Sequence, residues 1–269
     1  MLSWRAEDLV EGDGVIISCG QAEEWMLPWW WLNYRIHNSF PVTFVDMGLS
    51  PEGRSWCKER GELLSFVAQE LTVSGRERVD PAHALIWESL AGEKIWKLRE
   101  GWFKRAFLLL KSPYKRTLWV APSCQIRGPL DEIFPLCENK SGASLSYEKE
   151  ESLALQKERG ILRPDEKLCK INVLVFKRGS PLILEWADRC QKENHRFLAE
   201  PFVLAHLMEG SSESPLPEIY NWQVSRGANP QARINDYGDA QGTQKIAKQI
   251  SKLTENMLLN LSVSSFNYQ

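Results

Sequence analysis

Apolar and polar residues alternate with two different periods over the first 60 positions. Val15 to Ser18 and Val42 to Val45 are short apolar runs, each followed by a glycine-containing turn, as is typical of buried strands. Between them, residues 23–37 place apolar side chains at steps of three and four, the spacing of an amphipathic helix. Ser50 followed by Pro51 indicates a second helix start. This order of strand, helix, strand and helix predicts a parallel sheet with crossover helices.

The same alternation continues along the rest of the chain. Apolar runs at residues 117–120 and 171–176 predict two further buried strands. Helical spacing predicts helices at residues 81–90, 98–111, 180–190, 200–208 and 243–261. Residues 138–168 are mostly polar, and we expect them to form a surface insertion around one helix. The 269 residues therefore predict a single α/β domain with a mainly parallel central sheet flanked by helices.

Charge and hydropathy limit the kinds of partner. Lys and Arg number 33 against 35 Asp and Glu, a net charge of −2, so the chain lacks the basic footprint of a nucleic-acid binder. The longest nearly uncharged apolar stretch, Trp25 to Leu32, is far shorter than the roughly 20 residues that cross a bilayer. Its tryptophans leave attachment to a membrane surface as an alternative. We expect them instead to cover the sheet.

Cysteine spacing and the start of the chain indicate the compartment. The six cysteines are scattered without a C-x-x-C pair, which favours reduced thiols over a disulfide framework or a zinc site. The first 14 residues carry acids where a secretory signal needs a basic and then an apolar region. We therefore expect a cytoplasmic protein.

Several motifs occur in the order and spacing of one enzyme family. Residues 102–107 read WFKRAF, residues 117–120 read TLWV, and residues 127–134 read RGPLDEIF. This block resembles the centre of GT-A fold nucleotide-sugar glycosyltransferases, in particular glycosyltransferase family 8, the glycogenin and lipopolysaccharide-galactosyltransferase type. VTFVDMGLS at residues 42–50 resembles the family's second strand, and Tyr220 to Trp222 resembles its Y-N-W stretch. The resemblance is loose and extends over most of the chain.

The resemblance implies transfer of a sugar from a nucleotide-sugar donor, a UDP-sugar above all, to an acceptor that the sequence does not identify. The family binds Mn²⁺ or Mg²⁺ through a D-x-D motif, and here that place reads Ala121-Pro122-Ser123. Only Ser123 keeps an oxygen that could contact the donor. The family's later metal ligand is a histidine in an H-x-x-G-x-x-K segment, and here Asn235 or Asp239 takes its place. We therefore expect no metal ligands and no transfer through the usual metal site. Asp131 and Glu132 are alternative ligands in a shifted register, but acids at a helix start explain them more simply.

The resemblance also implies which residues contact the nucleoside. Ser18, Cys19 and Gly20 end the first strand, where the family binds the base and ribose. Asp46 ends the second strand and would accept a hydrogen bond from the nucleoside. The alternative is a turn aspartate that binds the backbone N–H groups after it.

Without a metal, cations and backbone N–H groups would have to bind the diphosphate. Gly238 and Gly242 flank a turn that leads into the last helix, with Lys245 in its first turn, and such a helix start is an anion site. Lys104 and Arg105 are a second pair of candidate cations before the central strand. An ordinary glycine-rich turn and solvated helix charges are the respective alternatives.

Two residues are candidates for chemistry and acceptor binding. Glu200 lies in the segment 198–202, which resembles the family's D-Q helix start. The resemblance makes it the candidate catalytic residue, as a base or in contact with the acceptor sugar, although capping of a helix that starts with Pro201 is the alternative. Trp222 is a candidate plate for stacking an acceptor sugar, with core packing as the alternative. Two functions remain open: a glycosyltransferase, and a catalytically inactive binding protein with the same fold.

Overall fold

A six-stranded sheet forms the centre of the computed structural model, which describes residues 9–66, 71–210 and 215–265, with side chains described up to residue 253. Residues 1–8, which carry part of the secretory-signal argument, lie outside the described residues. The described strands are β1 (Val10–Cys19), β2 (Val42–Asp46), β3 (Glu62–Ser65), β4 (Tyr114–Val120), β5 (Cys124–Ile126), β6 (Ala143–Tyr147), β7 (Cys169–Lys177), β8 (Trp222–Gln223) and β9 (Ile234–Asp236).

The strand order of the central sheet is β3-β2-β1-β4-β7-β6. The first four strands run parallel, while β7 lies antiparallel to both β4 and β6. The carboxyl ends of β1, β2 and β4 therefore lie beside the start of β7, and we call this side of the sheet the carboxyl edge. The mainly parallel α/β sheet predicted from the sequence is confirmed. In such sheets ligands bind at the carboxyl edge.

Helices cover both faces of the central sheet. They are α1 (Leu27–Arg35), α2 (Pro51–Lys58), α3 (Pro81–Ala91), α4 (Lys94–Trp102), α5 (Lys104–Leu109), α6 (Ala154–Glu158), α7 (Pro181–Glu193), α8 (Glu200–Leu207) and α9 (Ala240–Ser265). The predicted cap of α2 is present, since the Ser50 hydroxyl accepts the Gly53 N–H at 3.0 Å. Ser180 caps α7 in the same way.

The alternating side chains of β1 divide the core into two layers. Val15 and Ile17 face α1 and the small second sheet, while Ile16 faces the layer that contains α5 and α7. All three side chains are fully buried. Because side chains of a strand alternate between its faces, a strand buried on both faces reads as the continuous apolar run seen here.

A second sheet of three strands, in the order β5-β9-β8, lies beyond the end of β4. Residues 121–123 connect β4 to β5, and β5 pairs antiparallel with β9, with Cys124 opposite Asp236. This pairing returns residues 234–236 to the carboxyl edge.

Three predicted segments differ from the structure. The helix expected at residues 98–111 is two helices, α4 and α5, with Phe103 between them. The surface insertion expected at residues 138–168 is wrong in part, because it contains β6, a mostly buried strand of the central sheet. The last helix begins at Ala240 rather than 243, because the Asp239 carboxylate accepts the Gly242 N–H at 2.6 Å and caps an earlier turn.

Most of the tryptophan-rich stretch lies inside the protein. Trp29 and Trp30 are buried in the layer that α1 packs onto the sheet, and Trp31 is partly buried beside them. Such side chains are not available for attachment to a membrane surface. Among the described helices, none has the combination of length and apolar composition needed to cross a bilayer.

Arg99 is a fully buried cation that holds the chain before α8. Its guanidinium donates to the backbone carbonyl oxygens of Asn194 at 2.6 Å and Leu198 at 3.2 Å, and to that of Ser74 at 2.6 Å. The same group lies 4.6 Å from the centre of the Trp87 ring. Burial lowers the pKa of Arg99 to about 10. This one side chain therefore fixes the segment that leads to Glu200.

Replacing Arg99 by Gln should lower the free energy of unfolding by about 3 kcal/mol, because several buried carbonyl oxygens lose a charged donor. Urea denaturation monitored by tryptophan fluorescence measures the loss. The matched control is Arg159→Gln, since Arg159 is exposed at the end of α6. The control should change the free energy by less than about 0.5 kcal/mol. Equal effects of the two substitutions would contradict this account of Arg99.

Candidate functional site

Several residues predicted to bind a donor lie together at the carboxyl edge. Ser18 and Cys19 end β1, Gly20 follows them, and Asp46 at the end of β2 lies directly opposite Cys19 in the register. Ser123 lies in the connection after β4, the neighbour of β1 on its other side. The sheet register therefore brings together residues that are up to about a hundred positions apart.

Asp46 shapes the loop after β2. One carboxylate oxygen accepts the backbone N–H groups of Gly48 at 2.8 Å and Leu49 at 2.7 Å, and the other accepts from Arg54 at 2.5 Å. Burial opposes ionisation of this carboxyl, but the hydrogen bonds and the Arg54 charge outweigh it and hold the pKa below its usual range. The turn role is thus present in the structure, with the backbone N–H groups of Gly48 and Leu49 as the donors.

Asp236 is the carboxylate that faces the place of the metal motif. It ends β9 opposite Cys124, whose Sγ lies 3.9 Å from Asp236 Oδ1. The Asn172 side-chain amide donates to both carboxylate oxygens, at 3.1 and 3.0 Å, and the Gly238 N–H donates at 2.8 Å. Burial raises the pKa of Asp236 in spite of these hydrogen bonds. Asn235 and Asp239, the two residues that the resemblance puts in the place of the histidine, lie before and after Asp236 in the chain, and that correspondence stays a prediction.

A divalent metal of the kind that the resemblance implies does not fit these residues. Ala121 and Pro122 have no side-chain ligand, and Ser123 offers only a hydroxyl. The two oxygens of Asp236 already accept hydrogen bonds from Asn172. Mn²⁺ and Mg²⁺ require several hard oxygen ligands in a nearly octahedral set. One buried carboxylate with a raised pKa is a poor start for such a set.

The two glycine N–H groups of the predicted anion site both have partners within the loop. The Gly238 N–H donates to Asp236, and the Gly242 N–H donates to Asp239, so carboxylates of the same loop already use both donors. Gly242 is required for packing, since a Cβ there would lie 2.3 Å from the Tyr237 carbonyl oxygen. Lys245 is exposed and lines a cavity with Asn235, on the face of β9 opposite to Asp236.

Arg105 forms an ion pair with Glu200 and is therefore not a free cation. Its Nη1 lies 3.1 Å from Glu200 Oε1, and its guanidinium lies 5.9 Å from the centre of the Trp119 ring. Lys104, the neighbouring residue, is half-buried at the start of α5. Of the two predicted cations before the central strand, Arg105 balances the charge of Glu200. Lys104 is therefore the one that stays a candidate for binding an anion.

Glu200 is a buried acid with unsatisfied hydrogen-bonding capacity. Glu200 is 1% exposed. Its Oε1 makes no hydrogen bond, because the nearby Arg105 guanidinium is not aligned with it. Burial raises the pKa of Glu200 to about 7, and the charge of Arg105 limits this rise. A carboxyl group in this state exchanges a proton near neutral pH, which is a property of catalytic acids and bases.

The start of β7 connects the two buried acids. Asn172 donates to Asp236, and the carbonyl oxygen of its neighbour Ile171 accepts from the Trp119 indole at 2.9 Å. Trp119 in turn contacts Arg105, the partner of Glu200. The Asp236–Asn172 pair and the Glu200–Arg105 pair therefore lie on the two sides of the carboxyl end of β4.

Trp222, the predicted acceptor plate, pairs with β9 opposite Asn235. Its indole N–H donates to the Gly227 carbonyl oxygen at 2.9 Å, and the Arg226 guanidinium lies 4.0 Å from the centre of its ring. Arginine thus already stacks on this ring. Contact of Trp222 with a sugar stays a prediction.

Sequence reasoning missed three polar residues of this region. Asp236, Lys170 and Glu148 lie within or beside the strands at the carboxyl edge, and Lys170 is 5% exposed with its Nζ 3.4 Å from the Asn221 carbonyl oxygen. Burial raises the pKa of Glu148. A lysine directly before the apolar run at residues 171–176 was the available signal, since lysine is almost never fully buried without a partner.

No protein-family model matches the chain, and no curated protein matches it. Solved structures do match. The galactosyltransferase LgtC, in complex with donor and acceptor sugar analogues, matches with a TM-score of 0.54 and 10% identity over 85% of this chain and 87% of that one. The bifunctional glycosyltransferase WbbM matches with a TM-score of 0.56 and 8% identity, over 85% of this chain and 46% of that one. Streptococcus pneumoniae GlyE matches with a TM-score of 0.52 and 14% identity, over 86% and 55%. The chain has the GT-A fold of these glycosyltransferases.

The raised pKa of Glu200 predicts a particular dependence of stability on pH. The folded protein keeps the proton up to about pH 7, whereas the unfolded chain loses it near the ordinary value of 4.5. The stabilising contribution of this group is therefore present below pH 4.5 and is lost as the pH rises through about 7. Glu200→Gln removes this loss, so the free energy of unfolding of the variant relative to wild type should rise by about 3 kcal/mol across this range.

Urea denaturation at a series of pH values measures this difference. Glu158→Gln is the control, because Glu158 is exposed at the end of α6 and its substitution should leave the profile unchanged. Parallel profiles of wild type and Glu200→Gln would show that Glu200 ionises normally.

Proposed function

We propose that the protein transfers a sugar from a nucleotide-sugar donor to an acceptor, and that it does so without a divalent metal. The fold supports this proposal, because LgtC has the same fold and its structure holds donor and acceptor sugar analogues. The observation that carries the proposal is the Glu200–Arg105 pair. A buried carboxyl with a pKa of about 7 and one unsatisfied oxygen is suited to hold or accept a proton from a sugar hydroxyl.

In this proposal the nucleoside binds over the ends of β1 and β2. Ser18, Cys19 and Gly20 contribute the surface of the pocket, and Asp46 accepts a donor hydrogen bond while holding the turn beside it. The donor is a UDP-sugar, as the resemblance to nucleotide-sugar glycosyltransferases implies. This placement follows the general location of ligands at the carboxyl edge of open α/β sheets.

The diphosphate lies over the end of β4 in this proposal. Ser123 donates its hydroxyl, and Lys104 at the start of α5 supplies positive charge. Negative charge develops on the leaving diphosphate when the sugar bond breaks, so a fixed cation beside it lowers the barrier. Arg105 acts on the sugar side by keeping Glu200 in place.

The residues at 121–123 favour a second candidate function. Ala121 and Ser123 stand where the D-x-D motif has its two aspartates, which also suits a binding protein that retains the fold but has lost catalysis. Such a protein would bind the nucleotide sugar and leave it intact.

We also propose a cytoplasmic location. All six cysteines are buried free thiols, as is usual in a reducing compartment.

A side chain at Gly20 should block the nucleoside without disturbing the fold. A Cβ there would meet no atom closer than the Met47 carbonyl oxygen at 3.4 Å, an ordinary contact, so Gly20→Leu projects into the proposed pocket. We expect UDP-galactose or UDP-glucose to bind the wild-type protein in EDTA and to bind Gly20→Leu at least about tenfold more weakly in calorimetric titration. Gly101→Leu is the control, because a Cβ at Gly101 meets no atom within 4 Å.

Release of UDP from the donor distinguishes the two candidate functions. We expect slow hydrolysis of the donor by the wild-type protein in EDTA, and a loss of about 100-fold in Glu200→Gln with little change in donor affinity. Binding without hydrolysis favours the binding protein. Absence of binding by every UDP-sugar would overturn the proposed donor site.

A further inference from the structure

The cavity that Lys245 and Asn235 line lies on the side of the small sheet opposite to Asp236. It has a volume of about 470 Å³ and is formed between β9, the loop at residues 224–229 and the second and third turns of α9. Asn235 and Tyr237 point into it because they alternate with Asp236 along the chain. Its volume is in the range that holds a small metabolite.

The carboxamide of Asn235 lines this cavity and is incompletely hydrogen-bonded. The residue is only 8% exposed, and its Oδ1 has no hydrogen-bond partner. Its Nδ2 makes one long contact, 3.5 Å from Gln125 Oε1. A buried carbonyl without a donor costs free energy, so this group favours a ligand that brings a hydroxyl or an N–H.

The charge that lines the cavity has a single sign. Arg127, Lys245 and Lys248 line it, and none of the ten lining residues is acidic. Within the described part of the chain, neither of the two lysines forms an ion pair. Three cations around one cavity, without a balancing acid among its lining residues, are suited to an anion such as a phosphate group.

The wall between this cavity and the carboxyl edge is formed by internal hydrogen bonds. The Tyr237 hydroxyl donates to Gln125 at 3.3 Å and accepts from Gln249 at 3.1 Å, and Gln249 also accepts from the Trp29 indole at 3.0 Å. On the other face of β9, Asp236 contacts Asn172 and Cys124. The two faces of β9 therefore line two separate regions, the cavity and the carboxyl edge.

We propose that this cavity binds a small phosphorylated sugar, with its phosphate group between Lys245, Lys248 and Arg127 and a sugar hydroxyl donated to Asn235. The site is distinct from the proposed donor site. The ligands of this class share a phosphate monoester and free hydroxyl groups. The sequence predicts that Lys245 binds the diphosphate of the donor. In this proposal Lys245 instead binds the phosphate group of a second ligand, in this cavity.

Calorimetric titration of the wild-type protein with glucose 6-phosphate, inorganic phosphate and glucose tests this site at about 0.1 M salt, where exposed charges are partly screened. We expect glucose 6-phosphate to bind at least about tenfold more tightly than inorganic phosphate, and glucose not to bind. Lys245→Gln with Lys248→Gln should weaken the binding of glucose 6-phosphate by at least about tenfold. Asn235→Asp, which places a negative charge at the cavity floor, should weaken it similarly.

Two controls make the test specific. Lys252→Gln removes an equal charge from an exposed position further along α9 and should change the affinity by less than about twofold. Gly20→Leu should leave the binding of glucose 6-phosphate unchanged, whether or not the donor site works. Thermal melting of each variant establishes that it is folded.

Four results would overturn the proposal. Absence of binding by the phosphorylated sugar excludes the site, and an equal loss in Lys252→Gln reduces it to unspecific attraction by surface charge. Equal affinity for inorganic phosphate excludes the hydroxyl contact to Asn235. Loss of binding in Gly20→Leu would move the ligand to the carboxyl edge.

Discussion

The antiparallel pairing of β5 with β9 is the constraint on which the site depends. β5 follows the carboxyl end of β4 after three residues, and β9 comes from more than a hundred residues further along the chain. The pairing places Cys124 opposite Asp236, so a buried carboxylate lies beside the turn at residues 121–123. It also gives β9 two faces, one toward the carboxyl edge and one toward the cavity that Arg127, Lys245 and Lys248 line. A shift of one residue in this register would exchange Asp236 with Asn235.

Charge at the carboxyl edge is balanced within the protein. Glu200 is paired with Arg105, Asp46 with Arg54, and Asp236 is held by neutral donors and remains easier to protonate than an ordinary aspartate. Each of these three buried carboxyl groups thus has its own hydrogen-bond or ion-pair partners. The chemistry that we propose relies on protonation of Glu200 and on fixed side-chain cations.

The central sheet could be predicted because its strands are buried on both faces and its helices begin with recognisable caps. Ser50 and Ser180, each followed by proline, mark helix starts that the structure contains. Short elements were harder to predict. β3 is half-exposed, and β6 alternates apolar residues with two serines, which are buried because β7 pairs beside them. No local pattern reports such a pairing.

The candidate site was predicted only as far as the strand ends determine it. Ser18 to Gly20 and Asp46 follow directly from apolar runs that end in turns. Asp236 could not be distinguished from Asn235 and Asp239 without the register of β9, because adjacent residues of a strand face opposite ways. The same alternation turns Asn235, and not Asp236, toward the cavity that Lys245 lines.

The central claim is that residues 121–123 no longer support a metal site, and Mn²⁺ binding tests it most directly. Calorimetric titration should detect no specific Mn²⁺ binding by the wild-type protein. Ala121→Asp combined with Ser123→Asp adds two carboxylates beside Asp236, and this variant should bind Mn²⁺ at least about tenfold more tightly than wild type. Further replacement of Asp236 by Asn should reverse the gain. Tight Mn²⁺ binding by the wild-type protein that is lost in Asp236→Asn would contradict the account.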